Sequence, residues 1–163
     1  MCKSTSLILT IFISLSFISL SFRLDNNFIY IPDVGDDWKY QVDSAMKLIH
    51  RVDKPKYDTL VKYCDKIDFI LGDYSTTSPP HTIIINTKDM KLKSINNIAA
   101  VLVHESKHLS YNNNNITMSN DSEELSCYQY ENDFLNHLDY VEDWLYKNNI
   151  QQIITYSNRL NKK

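Results

Sequence analysis

His104-Glu105-Ser106-Lys107-His108 is the stretch of this chain whose residue types and spacing point most directly to chemistry. Histidines four residues apart share one face of an α-helix, so their imidazoles can hold a single zinc ion. The glutamate between them can act on the metal-bound water. An apolar run at residues 98–103 leads into the motif, which is therefore expected on a buried helix. A catalytic zinc needs a third protein ligand and one open position for water.

The third ligand is expected one helix further on. Glu123 and Glu124 follow a polar loop that could reverse the chain. Glu124, Cys127, Tyr128 and Glu131 recur at three- and four-residue spacing and form one stripe. Cys127 and Tyr128 read as inward-facing, so Glu124 is preferred over Glu123, which lies about a third of a turn away. Asp121 reads as a helix cap. Burying Glu124 without a partner would cost several kcal/mol, and a metal offsets that cost.

With His104, His108 and Glu124 as ligands, the expected chemistry is hydrolysis. Zinc would lower the pKa of its water towards about 7 and polarise a carbonyl. Glu105 would take the proton and deliver it to the leaving amine. A further donor should stabilise the oxyanion, and Tyr111, Tyr128 and Tyr130 are candidates by type. His81 reads as a surface histidine or a neighbour of the cleft.

Several elements must position these groups. Trp38, Val42, Ala45, Met46 and Ile49 mark the inner face of a first helix, with Asp36 or Asp37 as its cap. Pro55 can open a second, whose inner face is Tyr57, Leu60, Val61 and Cys64. Residues 67–71 and 82–86 read as strands, the latter buried or against a helix. An exposed edge at residues 83–86 could pair with an extended peptide. The motif helix should begin near residues 94–97. Leu125, Tyr128, Phe134 and Leu135 belong to the next helix. Tyr140, Val141, Trp144, Leu145, Ile150, Ile153, Ile154 and Leu160 read as a C-terminal helical part of the core, broken at Asn148-Asn149.

Residues 7–22 are apolar and serine-rich without a charge, and Lys3 precedes them. The run is short for a membrane span and suits a secretory signal. Cleavage after Ser21 would leave 142 of the 163 residues as one domain, 22–163. The expectation is a secreted or periplasmic protein, or one anchored to the membrane if the segment is uncleaved. Export permits a disulfide between Cys64 and Cys127, and the alternative is two small buried thiols. A net charge of -3 with mixed signs argues against nucleic acid, and two glycines argue against a glycine-rich nucleotide loop.

The combination of HExxH with residues 124–135 resembles the minimal gluzincin metallopeptidases, which carry HExxH on one helix and a ligand glutamate on the next. The resemblance spans residues 67–135. It implies His104, His108 and Glu124 as zinc ligands, Glu105 as the base, and Cys127 in a small-residue position. It also implies an α+β fold: a mostly helical zincin-like core with a small β-sheet beside the active-site helix. The expected activity is zinc-dependent hydrolysis of peptide or protein substrates, with a dedicated protein partner as one form of specificity. The alternatives are an exported protein stabilised by metal without peptidase activity, and a metal-free helical interaction domain.

Overall fold

The computed structural model describes residues 29–32, 37–72, 74–88 and 94–162. The signal expected at residues 1–21, most of the lead-in and the candidate cap Asp36 lie outside these residues. The fold is α+β, with five helices and a small mixed sheet among the described residues. Among the described residues no helix is long and apolar enough to cross a membrane.

Helix α1 (Trp38–Val52) buries Trp38, Val42, Ala45 and Ile49 along one stripe, as the sequence spacing requires. Its N-terminal Asp37 sits in the left-handed region at φ 59° and makes no side-chain cap. The expected Asp37 cap is therefore absent, because an N-cap needs extended backbone to aim its carboxylate at the first amides. Helix α2 (Lys54–Tyr63) is capped by Asp53, whose carboxylate accepts from the Lys56 amide at 3.2 Å, with Pro55 in the first turn.

Strand β1 (Lys66–Ile70) runs parallel to β3 (Thr82–Asn86), and β2 (Thr76–Ser78) pairs antiparallel with β3. The order is β1-β3-β2. The apolar run at 82–86 is thus the central strand, which corrects the expectation of a free edge there. Ile83 and Ile85 are fully buried, as suits a strand paired on both sides. The edge is β2, a polar Thr-Thr-Ser segment. Tyr30 lies along the far side of β1: its amide donates to the Asp65 carbonyl, and its own carbonyl accepts from the Ile67 amide.

Helix α3 (Ile95–Asn113) starts at Ser94, whose Oγ accepts from the Asn97 amide at 3.3 Å. Helix α4 (Asn120–Leu135) starts in the same way at Ser119. The core gathers Leu60, Ile67, Ile98, Leu102, Leu109 and Phe134, all fully buried. Helix α5 (Asp143–Leu160) buries only Leu145 and Asn149. It is continuous through Asn148-Asn149, because the buried Asn149 Nδ2 donates to the Tyr128 carbonyl at 3.0 Å. The expected C-terminal core holds at Leu145 and at Val141, which packs against the core, and is corrected at Tyr140, Trp144 and Ile154, which are exposed.

An ionic cluster built on the buried pair Lys56 and Asp53 fastens α2 to α4. Lys56 Nζ donates to Asp53 at 2.8 Å and to Asp133 at 2.5 Å, and His137 Nδ1 is 2.8 Å from Asp53. Burial raises the pKa of Asp53, but hydrogen bonds from Lys56 outweigh it and hold the carboxyl below its ordinary 3.8. Burial lowers that of Lys56, but Asp133 and Asp53 hold it above its ordinary 10.5. The depressed Asp53 stabilises the fold above pH 3.8, and that contribution is lost as pH falls through its folded value. The elevated Lys56 stabilises it below pH 10.5, and that is lost as pH rises through its folded value. Lys56→Met leaves Asp53 buried without its cation and is expected to cost about 3 kcal/mol. Urea titrations across pH check this; the variant should lose the alkaline arm and most of the acid arm of the profile.

Candidate metal centre

The C-terminal half of α3 carries His104, Glu105 and His108 against α4. His104 and Glu105 are buried, 7% and 6% exposed. One helical turn apart, the two imidazoles face each other with Nε2 atoms 3.2 Å apart. The Glu124 carboxylate closes the triangle. Its Oε2 is 3.6 Å from His104 Nε2, and its Oε1 is 3.5 Å from His108 Nε2. Ligand atoms bound at about 2.0–2.2 Å to one tetrahedral ion stand about 3.3–3.6 Å apart. The three donors therefore already have the spacing of a shared zinc ion.

The outer ring nitrogens decide which tautomer faces inward. His104 Nδ1 is 3.1 Å from Glu131 Oε2, and His108 Nδ1 is 2.7 Å from Glu123 Oε1. An ionised carboxylate accepts, so each Nδ1 carries a proton. The two Nε2 atoms face each other at 3.2 Å, close enough to share one proton or to bind one metal ion between them. This is the arrangement in which carboxylates orient metal-binding histidines and raise their basicity.

The surrounding charges favour positive charge at this point. Burial alone lowers the pKa of His104, but the Glu124 and Glu131 carboxylates overturn that and push it up to about 10. Burial also raises that of Glu105. Burial raises that of Glu124, but His104 and His108 reverse the effect and hold it low, so this carboxylate is ionised. The Glu105 side chain makes no hydrogen bond or ion pair with a described residue, yet it borders the same cleft.

Glu123 and Glu124 both reach the histidines, in different ways. Glu124 faces the inner nitrogens and Glu123 an outer one, consistent with the preference drawn from helix phase. Glu131, read only as a stripe member, is the orienting partner of His104. Its place was signalled by the seven residues that separate it from Glu124, two turns on the same face.

Cys127 is fully buried, and its Sγ lies with one nitrogen of each imidazole in a group spanning no more than 4.8 Å. Burial, followed by the Glu124 and Glu123 charges, raises its pKa strongly, so the thiol keeps its proton. Cys64 is buried too, its thiol pushed up to about 12, and the two cysteines are free rather than disulfide-bonded.

A cleft of about 950 Å³ opens over the site. Ser75 and, from edge strand β2, Thr76 and Thr77 line it on one side, and α5 contributes Trp144, Leu145, Asn148, Gln152 and Tyr156. All of these α5 residues but Leu145 recur every fourth position, so one helical stripe makes most of the wall. Sequence reasoning assigned this helix to the core; the spaced polar residues Asn148 and Gln152 were the available signal. Of the three candidate oxyanion donors, Tyr128 lines the cleft, with its ring edge-on to His104 at 4.4 Å and stacked on Tyr156 at 5.8 Å. Tyr111 is bonded to Ser126 at 2.5 Å, and Tyr130 lies beneath Lys56 and Lys107. His81 is tied to the Tyr63 carbonyl at 3.1 Å and does not line the cleft.

The second group of possible ligands, Asp53, Asp133 and His137, already has Lys56 as its cation. No family model, curated protein or solved structure matches the chain.

Proposed function

We propose that this protein is a zinc-dependent metallopeptidase with a zincin-like core, in which His104, His108 and Glu124 hold the ion and Glu105 is the general base. One observation carries the reading. The inner nitrogens of His104 and His108 and the Glu124 carboxylate converge at metal-ligand spacing beside Glu105 in one cleft. A bound zinc ion would supply Lewis acidity to a water molecule and to the carbonyl under attack.

The chain's own groups do the rest. Glu105 holds the nucleophilic water by hydrogen bonding, accepts its proton and returns it to the departing amine. Glu123 and Glu131 hold the imidazoles in register by accepting from their outer nitrogens. Tyr128 can donate its hydroxyl hydrogen to an oxyanion. Edge strand β2 offers main-chain groups to an extended substrate along the cleft, which favours a peptide over a compact ligand. An exported location belongs to the same proposal and rests on the uncharged run at residues 7–22.

Cys127 supports a second reading. With its thiolate in the fourth position, His104, His108, Glu124 and Cys127 would make a closed structural site without hydrolysis. The Glu124 oxygens at 3.6 and 3.5 Å from the two inner nitrogens favour the open site. Cobalt substitution separates the two. The open site predicts weak visible bands that are unchanged in Cys127→Ser. Intense sulfur-to-cobalt absorption that disappears in that variant would establish the closed site instead.

A further inference from the structure

We infer that the cleft selects peptides with a lysine or arginine side chain beside the bond to be cut, lying against Trp144; the inference rests on the metallopeptidase reading. Glu105, Glu123, Glu124 and Glu131 all border the cleft, and no lysine or arginine is among its described lining residues. When the Nε2 atoms bind metal the ion takes the place of their protons, so the imidazoles add no charge of their own. A divalent ion carries two charges against four carboxyl groups, so the cleft lining stays acidic.

Lys107 and Arg159 are close by but are not among the described residues that line the cleft. Lys107 lies over the Tyr111 and Tyr130 rings at 4.7 and 5.1 Å. Arg159 sits on the Tyr156 ring at 5.0 Å, with Asp121 at 3.7 Å. Trp144 is different. It borders the cleft, it is 41% exposed, and no described lysine or arginine lies over its ring. Indole is the best aromatic partner for a cation, and an alkyl stem packs well along it. A basic side chain would therefore find both a surface for its stem and a field for its charge. An acidic one would meet uncompensated like charge.

The test uses zinc-loaded full chain and three N-acetyl dipeptide hydroxamates that differ only in one side chain: lysine, norleucine or glutamate. The hydroxamate anchors each probe on the metal, so calorimetry reads affinity without turnover. The lysine probe is expected to bind about tenfold more tightly than norleucine, and glutamate about tenfold more weakly, at low salt. Raising the salt should compress both margins. Trp144→Ala should reduce the lysine margin to a few-fold at most, in line with the loss of one cation–π contact. Equal affinities, or glutamate first, would overturn this inference and leave the metal centre standing. Failure of all three probes to bind would overturn the metal centre and the inference together.

Discussion

Glu105→Gln is expected to lower peptide hydrolysis by about 10²–10⁴-fold while the protein still binds one zinc ion with nearly unchanged affinity. Glutamine fills the same volume and preserves the packing of a residue only 6% exposed. It cannot accept the proton that the attacking water must lose. The native carboxylate is buried without a hydrogen-bond partner among the described residues, and burial raises its pKa. The amide removes a buried charge, so the variant should be no less stable than the parent. Steady-state cleavage of a mixed peptide library, with zinc content and thermal melting measured on the same samples, checks all three parts. A variant that cleaves as fast as the parent would remove Glu105 from the mechanism.

The second large effect separates two adjacent glutamates. Glu124→Ala removes a donor that stands 3.5 and 3.6 Å from the inner imidazole nitrogens. Glu123→Ala removes the carboxylate that orients His108 through its outer nitrogen. Loss of an orienting partner costs about 10–100-fold in metal affinity. Loss of one of three protein ligands should cost more, above about a hundredfold on that scale. Zinc competition titrations with a chromophoric chelator measure both. If Glu123→Ala proves the more damaging change, the ligand assignment on α4 must be exchanged.

The helix that presents the motif was legible because several local signals agree there. The apolar run before His104, the cap at Ser94 and the four-residue histidine spacing all describe one buried helix, and the structure has it at Ile95–Asn113. The stripe on α4 was legible for the same reason: period alone puts Glu124, Tyr128 and Glu131 on one face. Strand β2 was not. Its Thr-Thr-Ser segment has no apolar alternation, and its pairing with β3 depends on a partner that local sequence cannot specify.

The role of α5 was misread for a related reason. Trp144 and Ile154 look like core by composition, but Trp144 lines the cleft, where aromatic residues are equally at home, and Ile154 faces solvent. Only the tertiary position distinguishes them. Asn149 shows the converse. An asparagine pair reads as a helix break, yet one hydrogen bond to the Tyr128 carbonyl lets Asn149 sit fully buried within a continuous helix.

The division of labour among the carboxylates links the fold to the proposed chemistry. Four glutamates and two histidines come from only two helices, α3 and α4, and the caps at Ser94 and Ser119 set where each helix begins. Each cap substitution is worth about 1 kcal/mol.

Zinc-edge diffraction from crystals of the metal-loaded protein addresses the central claim most directly. A single strong anomalous peak is predicted about 2.0–2.2 Å from His104 Nε2, His108 Nε2 and a Glu124 oxygen, with solvent in the remaining position. Density showing no ion between the imidazoles at saturating zinc, or an ion held elsewhere with Glu124 turned away, would contradict it.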